Sequence, residues 1–484
     1  MPRPSPRESL EAALARVDRA LAADPAARAP RLERAGLLHQ LGRTDDAKQA
    51  YLAILAQDPT DLDALTQFGA LLRDTDYRSA ACTVFRQAIL HHPRRAVGPV
   101  LLGNTLLDQG DYPGARAQFQ EALALDPGCR EAHQGMATAL MELREEELAW
   151  EHGRKGFTGR AHLTNPFRGS GQPVSVLVLN SAAGGNIPLR RNLDDQLFQS
   201  TMLLAEFHDP AAPLPPHQLA FNAIGDADYC QRGLDAAAAL LRHSRAPLIN
   251  APAAVARTGR AENARRLAGI PGLVTPRTVM LTRAALAAAD AEQRLRAEGL
   301  AFPLLVRSLG FQAGKHFVKV ESPQGLAEAL AGLPGRDFAA IEFLDARDAD
   351  GRIRKYRVMM IDGRLYPLHA AVSSNWKIHY FSADMADTPA HRAEDEAFLQ
   401  DMPRVLGAAA LAALQGVQAA LGLDYAGVDF SLGADGQVLL FEANATMVIL
   451  PPGPGEAWAY RREPVQRVLD ALTAMLLARA KAPR

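Results

Sequence analysis

Cysteine is scarce in this sequence and follows no regular spacing. The three cysteines, Cys82, Cys129 and Cys230, are widely scattered and form no C-x-x-C pair. Neither a disulfide framework nor a zinc site is therefore indicated. Such cysteine usage is typical of a reducing compartment, and we expect a cytoplasmic protein.

Long apolar segments and an excess of one charge are also missing. Residues 1–8 contain no apolar stretch of the kind that a secretion signal needs, and we find no run of about 18 apolar residues that would predict a membrane span. The formal net charge is −1, which gives no electrostatic reason to expect nucleic acid or an anionic membrane as a partner. We therefore expect neither kind of binding.

The length predicts several domains. The chain has 484 residues, of which 48% are hydrophobic and 22% charged, as in ordinary globular proteins. Since a domain takes roughly 100 to 200 residues, three or four units are expected.

Proline recurs with a fixed period in the first third of the chain. Pro25, Pro59, Pro93 and Pro127 lie 34 residues apart, and each follows an alanine-rich helical stretch. A small-aromatic-small pattern precedes the later prolines, in Ala81, Phe85 and Ala88 and again in Ala115, Phe119 and Ala122. Gly69 and Gly103 repeat where two helices would cross closely. A fixed period of this kind predicts stacked helical units.

This pattern resembles the tetratricopeptide repeat over residues 9–157. The resemblance implies an all-α solenoid in which alanines let helices approach, the aromatic ring fills the gap between repeats and proline ends each second helix. It also implies a surface that binds a peptide or protein. The alternative is a surface for homodimerisation, or a purely structural one.

The repeat pattern fades near residue 157. A last copy keeps Ala137 and Ala149 in register but has Gly153 where the aromatic residue is expected, so we predict a capping helix. Residues 158–172, with Asn165-Pro166 and several glycines, break helical periodicity and predict a linker.

Residues 173–272 predict an α/β domain. Apolar strands are predicted at 174–179, 219–224 and 247–250, with a helix at 233–243 between the last two. Gly184-Gly185 follows the first strand and lacks the G-x-G-x-x-G spacing. A turn that cradles a ligand and an ordinary βα turn therefore both remain open.

An oxygen-ligand set lies near the C-terminus. Glu442 and Asn444 are two residues apart on an apolar strand, so they share one face. The Asp435-Gly436 turn folds Asp429 back beside them. Two carboxylates and an amide oxygen suit Mg²⁺, which is usually completed by water and nucleotide phosphates.

Three further blocks precede this set in a characteristic order. Residues 250–276 run from Asn-x-Pro to Thr-Pro, residues 303–320 form a strand, a glycine-containing loop and a strand, and residues 339–345 form an apolar strand that ends in Glu-Phe-Leu-Asp. With the Asp429, Glu442 and Asn444 set, this order resembles the ATP-grasp superfamily over residues 172–484. The resemblance implies a multidomain protein with a pre-ATP-grasp domain at 173–272 and two α+β ATP-grasp lobes at 273–484, hinged near 341–345.

The resemblance also implies roles for individual residues. Phosphate contacts would come from Arg260, Arg307 and Lys315, with Gly310 and Gly314 allowing close backbone approach. Adenine would be read by Glu342, Phe343 and Leu344. Ribose would be held by an acid beyond them, with Asp345, Asp348 and Asp350 as the candidates. Mg²⁺ would be bound by Asp429, Glu442 and Asn444. The catalytic candidates are Arg357, Lys315 and His369.

The chain departs from the family pattern at three positions. Arginine stands at 260 and 307, where lysine is usual, which keeps the charge but changes the geometry. Many peptide-bond-forming members have an arginine two residues before the first metal ligand, and here that residue is Gly427. Another cation, for which Arg357 is a candidate, would have to act there, or the substrate differs.

Residues 368–381 are rich in polar and aromatic groups and are interpreted as facing the substrate. The candidates are Asn375, Trp376, Lys377 and His379. The alternative is an ordinary strand and loop in which Trp376 anchors the core.

The predicted function is an ATP- and Mg²⁺-dependent ligase. By resemblance, it would activate a small-molecule or peptide carboxylate as an acyl phosphate for attack by an amine or thiol, while the repeats bind a peptide or protein. Two alternatives remain open: a repeat scaffold whose nucleotide domain is a sensor without turnover, and a kinase on the same fold.

Overall fold

A computed structural model describes residues 6–311, 314–378, 380, 383–453 and 455–481. The chain divides into two compact units. The first, the repeat unit, comprises residues up to Ala161 with Arg168–Gln172 and Phe207–Asp209. The second unit comprises His162–Phe167, Pro173–Glu206 and the described residues from Pro210 onward.

The repeat unit is an array of nine helices within the described residues. They are α1 (Pro6–Ala23), α2 (Arg28–Gln40), α3 (Thr44–Leu55), α4 (Leu62–Asp74), α5 (Arg78–His91), α6 (Val97–Gln109), α7 (Tyr112–Leu125), α8 (Arg130–Glu142) and α9 (Glu146–Phe157). Each helix packs on the next, which confirms the predicted helical repeat array.

Aromatic rings fill the gaps that small residues leave between helices. Phe119 on α7 is fully buried. A Cβ atom on Gly103 of α6 would lie 2.7 Å from its ring, and one on Gly135 of α8 would lie 2.1 Å from it. Glycine is therefore required at both positions, because real Cβ contacts are never this short.

Phe207 takes the place of the aromatic residue that the last repeat lacks. It belongs to the repeat unit although it lies about fifty residues beyond α9 in the sequence. Its ring stands 5.7 Å from that of Trp150 and 5.2 Å from that of Phe157. A Cβ atom on Gly153 would lie 2.2 Å from it. The array thus ends on a ring supplied by a later segment.

The second unit contains three sheets, of which the first has five strands in the order β1-β3-β2-β4-β5. These are β1 (His162–Thr164), β2 (Val174–Asn180), β3 (Phe198–Leu204), β4 (Leu219–Asn222) and β5 (Leu248–Ile249). β2 to β5 are parallel. β3 and β4 lie on opposite sides of β2, so the strand order changes direction between β2 and β4. At such a point an open α/β sheet forms a crevice at the carboxyl ends of its strands.

The structure differs from the sequence prediction along this sheet. Residues 158–172 were expected to be a linker, but His162–Thr164 forms β1 and pairs antiparallel with β3. Pairing satisfies backbone groups that an unpaired edge of β3 would leave open. β3 was not predicted, because Gln199, Ser200 and Thr201 interrupt its apolar pattern.

The second sheet has four antiparallel strands in the order β7-β10-β8-β9. They are β7 (Thr278–Thr282), β8 (Leu304–Ser308), β9 (Phe317–Val320) and β10 (Asp337–Glu342). One face packs on a separate core that includes Leu304, Val306 and Phe338.

The third sheet has the order β12-β11-β13-β14-β6. Its strands are β6 (Leu273–Val274), β11 (Ile353–Ile361), β12 (Arg364–Ser373), β13 (Tyr425–Leu432) and β14 (Val438–Asn444). β11 to β14 are antiparallel, and β6 runs parallel to β14. Asp362-Gly363 and Asp435-Gly436 lie in the turns of the two predicted hairpins.

Nine helices of the second unit surround these sheets in the part of the chain that is described. They are α10 (Gln231–Leu241), α11 (Pro252–Ala256), α12 (Arg260–Leu267), α13 (Arg283–Ala287), α14 (Ala291–Ala297), α15 (Leu326–Gly332), α16 (Pro389–Gln400), α17 (Met402–Leu421) and α18 (Arg462–Lys481). The architecture after the repeats is mixed α/β, as predicted.

By length and composition, α17 could cross a membrane, and among the described residues it alone meets that criterion. Core helices also meet it, so this is weak evidence. The prediction from sequence missed this helix because glutamines and glycines interrupt its apolar run. Ala410, Leu414 and Val417 on α17 are buried in the core of the second unit.

Candidate functional site

A cavity of about 890 Å³, here called the larger cavity, lies within the second unit and is lined by residues of the second and third sheets and by loops that follow strands of the first sheet. The loops after β2 and β4 contribute Gly185 and Asp226, at the carboxyl ends of the strands where the crevice was expected. Most predicted site residues line it: Arg260, Arg307, Gly314, Lys315, Glu342, Phe343, Leu344, Arg357, Trp376, Lys377, Asp429, Glu442 and Asn444.

Two carboxylates face each other across β13 and β14 in this cavity. Asp429 is the register partner of Glu442. The Oδ1 and Oδ2 atoms of Asp429 accept hydrogen bonds from Nε of Arg357 at 2.6 Å and from Nζ of Lys355 at 3.0 Å. Oε1 of Glu442 accepts one from Nη2 of Arg260 at 2.7 Å. Cations from two separate segments thus hold both carboxylates.

These cations determine the protonation of the pair. Burial alone would raise the pKa of both carboxyls, because it penalises the charged form. The neighbouring cations outweigh burial, so the pKa of Asp429 and that of Glu442 both lie below their ordinary values. Both groups are ionised and able to bind a cation at neutral pH.

The donor set fits Mg²⁺. Asn444 adds an amide oxygen, which accepts hydrogen bonds from the backbone N and Oγ1 of Thr446 at 2.9 and 2.8 Å. Among the described residues, no group of three or more His, Cys, Asp and Glu side chains could hold a metal ion. The predicted ligands thus comprise two carboxylates and an amide oxygen, and oxygen atoms of these kinds are the ligands that Mg²⁺ prefers in proteins.

Arg307 on β8 is a buried cation that forms no close ion pair with a carboxylate in the described part of the chain, although the charges of Glu442, Asp226 and Asp228 act on it from a greater distance. It is 9% exposed, and its Nη2 donates to the backbone oxygen of Phe311 at 2.6 Å. Burial, and then the charge of Arg260, lower its pKa from the ordinary arginine value. Since a buried charge is costly unless it is paired, the site favours an anionic ligand.

Two exposed lysines also line the same cavity. Lys315 and Lys377 are exposed, and neither forms an ion pair with a described carboxylate; Nζ of Lys377 donates to the backbone oxygen of Phe317 at 3.0 Å. Gly310 and Gly314 have φ values of 72° and 69°, a left-handed backbone that glycine adopts without strain. The hairpin of β8 and β9 therefore contributes Arg307, Gly314 and Lys315 to the larger cavity.

Aromatic rings cluster beside the predicted hinge. Trp376 stands 5.5 Å from Phe317 and 6.3 Å from Phe343 between ring centroids, in edge-to-face geometry. Nζ of Lys319 lies 4.0 Å from the centre of the Phe343 ring. Oε2 of Glu342 accepts a hydrogen bond from the backbone N of Arg277 at 2.9 Å, which fixes that carboxylate at the edge of the cavity.

Several predicted residues are not among those that line the larger cavity. The carboxylate of Asp345 pairs with Arg347, and Asp348 and Asp350 pair with Arg354. Gly310 and Asn375 also lie outside the lining. His379 lies outside the described residues.

Gly427 has a packing reason for carrying no side chain. A Cβ atom there would lie 2.5 Å from Cγ of Met447 and 3.1 Å from Sδ of Met359. An arginine at 427 would therefore require both methionines to move. On the neighbouring strand β11, Arg357 lies opposite Asp429 and places its guanidinium at the larger cavity instead.

His369 lies on β12 opposite Arg357 and lines a second cavity of about 240 Å³, here called the smaller cavity. Burial, and then the charge of Arg357, lower its pKa well below the ordinary value, so the ring is neutral. Its role as a catalytic base stays a prediction, since it is not among the residues that line the larger cavity.

Several residues that line the larger cavity were not predicted from the sequence. Asp226 and Asp228 follow β4, and Oδ2 of Asp228 accepts a hydrogen bond from Nη1 of Arg260 at 2.7 Å. Phe441 occupies a bulge in β14 and is 37% exposed. Only Lys355 had a sequence signal, because it lies two residues before Arg357 and so shares a strand face with it.

Comparison with known proteins identifies the class of the first unit. The profile of the tetratricopeptide repeat family matches residues 7–61 and 100–155. The predicted repeats are therefore confirmed, and the repeat unit is a tetratricopeptide-repeat scaffold for protein interaction. No curated protein sequence matches the chain.

Solved structures with some likeness include repeat proteins. The crystal structure of MamA is 20% identical and covers 30% of this chain and 86% of its own, with a TM-score of 0.28. MamA from Desulfovibrio magneticus RS-1 is 23% identical over 31% of this chain and 85% of its own, with a TM-score of 0.28. Pseudomonas aeruginosa pilF is 22% identical over 31% and 68%, with a TM-score of 0.29.

Proposed function

We propose that the second unit is an ATP- and Mg²⁺-dependent ligase of the ATP-grasp type, and that the repeats bind a peptide or protein that is its substrate or partner. The observation that carries this proposal is Arg307. It is a buried cation that forms no close ion pair with a described carboxylate, in a cavity that also holds the ionised Asp429 and Glu442. The phosphates of a nucleotide would pair with Arg307, and a divalent cation bound to them would pair with Asp429 and Glu442.

The cavity offers a place for each part of the nucleotide. Arg307 and Lys315 would contact the phosphates, and the aromatic cluster of Phe317, Phe343 and Trp376 would pack against the adenine. Main-chain groups at Phe343 and Leu344 would read the adenine edge. Asp429, Glu442 and Asn444 would hold Mg²⁺, which offsets the phosphate charge when it is bound.

The reaction would proceed in two steps. A carboxylate oxygen of the acid attacks the γ-phosphorus of ATP, the bond from that phosphorus to the β,γ-bridging oxygen breaks, and ADP leaves. An amine nitrogen or a thiol sulfur then attacks the acyl carbon, the bond to the phosphate oxygen breaks, and orthophosphate leaves while the nucleophile loses its proton to solvent. Positioning and charge compensation supply most of the catalysis.

Arg357 is the cation that would stabilise the negative charge formed during the second step. Its guanidinium lies in the cavity, hydrogen-bonded to Asp429, while Gly427 cannot contribute a side chain. The three cysteines and the ATP requirement together suit a reaction in the cytoplasm.

The test is nucleotide turnover with a panel of acids, amines and thiols. Purified protein with ATP and Mg²⁺ should form ADP and orthophosphate only when an accepted acid and nucleophile are present. Glu442→Gln should abolish turnover, and Arg307→Met should weaken ATP binding by roughly tenfold or more. Glu328→Gln and Arg296→Met, at exposed positions, are matched controls and should change neither quantity. Absence of product with every combination would reject the ligase.

A nucleotide sensor is the second candidate, favoured by the ion pairs in the cavity. Asp429 and Glu442 are already held by Arg357, Lys355 and Arg260, so their charges are balanced before any metal binds. ATP binding that shifts affinity for a peptide partner without forming ADP would favour the sensor. A stable phosphorylated acid, detected by mass spectrometry, would indicate a kinase instead.

A further inference from the structure

The smaller cavity adjoins the larger one. Both are lined by Lys355, Arg357, Val448 and Leu450, which we call the shared wall. The volume of the smaller cavity, about 240 Å³, corresponds to roughly eight water molecules at about 30 Å³ each. The space therefore suits one small organic molecule, or one end of a larger molecule.

The lining of the smaller cavity is apolar with cations. Leu368, Met385, Trp458 and Pro451 supply apolar surface. Lys355, Arg357 and Arg461 are its cations, and no carboxylate is among the described residues that line it. An occupant with an apolar body and a negative group would match both features, whereas an amine would be repelled.

Two of these three cations belong to the shared wall. Nε of Arg461 lies 3.5 Å from Oδ2 of Asp395, so one carboxylate balances that cation. Lys355 and Arg357 both pair with Asp429, so within these ion pairs two cations share one carboxylate, and the charge of Glu442 acts on Arg357 from the side of the larger cavity. A single carboxylate on the occupant would pair with these two cations from the side of the smaller cavity.

His369 gives an independent indication of a ligand. Its side chain is 6% exposed, it lines the smaller cavity, and its Nδ1 atom has no hydrogen-bond partner among the described residues. A buried polar atom without a partner is costly. Because this atom is almost inaccessible, an occupant satisfies it only if the ring turns toward the smaller cavity.

We propose that the smaller cavity selects the acid substrate and that this substrate is a small monocarboxylic acid with an aromatic or branched apolar body. The body lies against Trp458, Leu368 and Met385, and the carboxylate lies at the shared wall, facing the larger cavity. The assignment rests on the proposed ligase function, because the carboxylate is then placed where ATP would meet it.

Tryptophan fluorescence tests this placement without turnover. Trp458 lines only the smaller cavity and Trp376 only the larger one. Without ATP, 3-phenylpropionate should change the emission of the Trp376→Phe protein, which retains Trp458, in a saturable way. It should leave the emission of the Trp458→Phe protein unchanged. An equal response to 3-phenylpropylamine or glutarate, or no saturable response to 3-phenylpropionate, would overturn the proposal.

Filling the cavity gives the second test. Ala383→Phe adds a ring to the lining and should weaken 3-phenylpropionate binding by roughly tenfold or more, while ATP binding stays unchanged. Ala386→Phe, at an exposed lining position, should act in the same direction if Ala383→Phe does not fold. Ala349→Phe, which lines neither cavity, is the matched control. Unchanged acid binding in a folded filled variant contradicts the proposal.

The two proposals fail in different ways. If ATP binds and no acid of this class does, the substrate assignment is wrong while the ligase remains open. If 3-phenylpropionate binds at Trp458 and no acid and nucleophile pair yields ADP, the assignment of the smaller cavity stands and the ligase fails.

Discussion

In the repeat unit, stabilising contacts join neighbouring helices, whereas the second unit is stabilised by pairs of residues far apart in the sequence. Arg28 and Asp61, which pair in the repeat unit, are 33 residues apart, about one repeat. In the second unit, Arg260 and Glu442 are 182 residues apart, and Asn250 and Tyr425 are 175 apart.

This difference has a physical cause. A repeat buries its face only against the next repeat, so the same contact recurs at the period of the sequence. In the second unit, ion pairs at the larger cavity join residues from segments far apart in the sequence. Each pair therefore forms only when those segments are folded together. A destabilising substitution should therefore affect only neighbouring helices in the repeat unit. In the second unit it should also affect segments that are distant in the sequence.

The largest expected effect comes from Phe119→Ala, which should cost about 3–5 kcal/mol because it empties a fully buried site between α6 and α8. Hydrogen–deuterium exchange, measured peptide by peptide, should become faster in α6, α7 and α8 and stay unchanged in β11 to β14. Leu125→Ala, in the same helix at a position 39% exposed, is the control and should have a small effect. Faster exchange in the third sheet would show that the effect of this substitution is not confined to the repeat unit.

Asp429→Asn should have the next largest effect, about 2–3 kcal/mol, since Arg357 and Lys355 would then share a neutral amide instead of a carboxylate. Exchange should become faster in β11 and in β13, although these strands are distant in the sequence. The same substitution at Asp435, exposed in the turn between β13 and β14, should change stability by less than about 0.5 kcal/mol. If both variants behave alike, the buried ion pairs do not stabilise the sheet.

Asp61→Ala should have the smallest effect and a dependence on pH. The carboxylate caps α4 by accepting a hydrogen bond from the backbone N of Ala64 at 3.0 Å, and loss of a cap costs about 1 kcal/mol. The hydrogen bond from Arg28 lowers the pKa of Asp61. Its contribution is therefore present above the ordinary carboxyl pKa, near 4, and is lost as pH falls through the lower value in the folded protein.

Urea unfolding followed by far-ultraviolet circular dichroism checks this dependence. Wild type and Asp61→Ala should differ at pH 7 and converge as the pH falls below about 4. Glu121→Ala, at an exposed position inside α7, should stay within about 0.5 kcal/mol of wild type at each pH. If the free energies of unfolding of wild type and Asp61→Ala differ by the same amount in acid and at neutral pH, the ionised carboxylate does not stabilise the repeat.

Much of the site could be anticipated because its residues occur in short blocks with local geometry. Glu442 and Asn444 share a face by strand alternation alone, and the Asp435-Gly436 turn brings Asp429 opposite Glu442. The choice among acids near the hinge could not be anticipated. Asp345 pairs with Arg347, whereas Asp348 and Asp350 both pair with Arg354, and these pairings are determined by the folded loop.

The sequence by itself determined the helical period, the helix pairs and the two hairpins that carry Arg357, Asp429, Glu442 and Asn444, because these follow from contacts between near neighbours. Only the tertiary structure decided that Phe207 completes the repeat array and that Lys355 shares Asp429 with Arg357. It also decided that Met447 excludes a side chain at Gly427 and that the smaller cavity lies beyond the shared wall. Each of these depends on segments that meet in space without any periodic relation in the chain, so no local pattern encodes them.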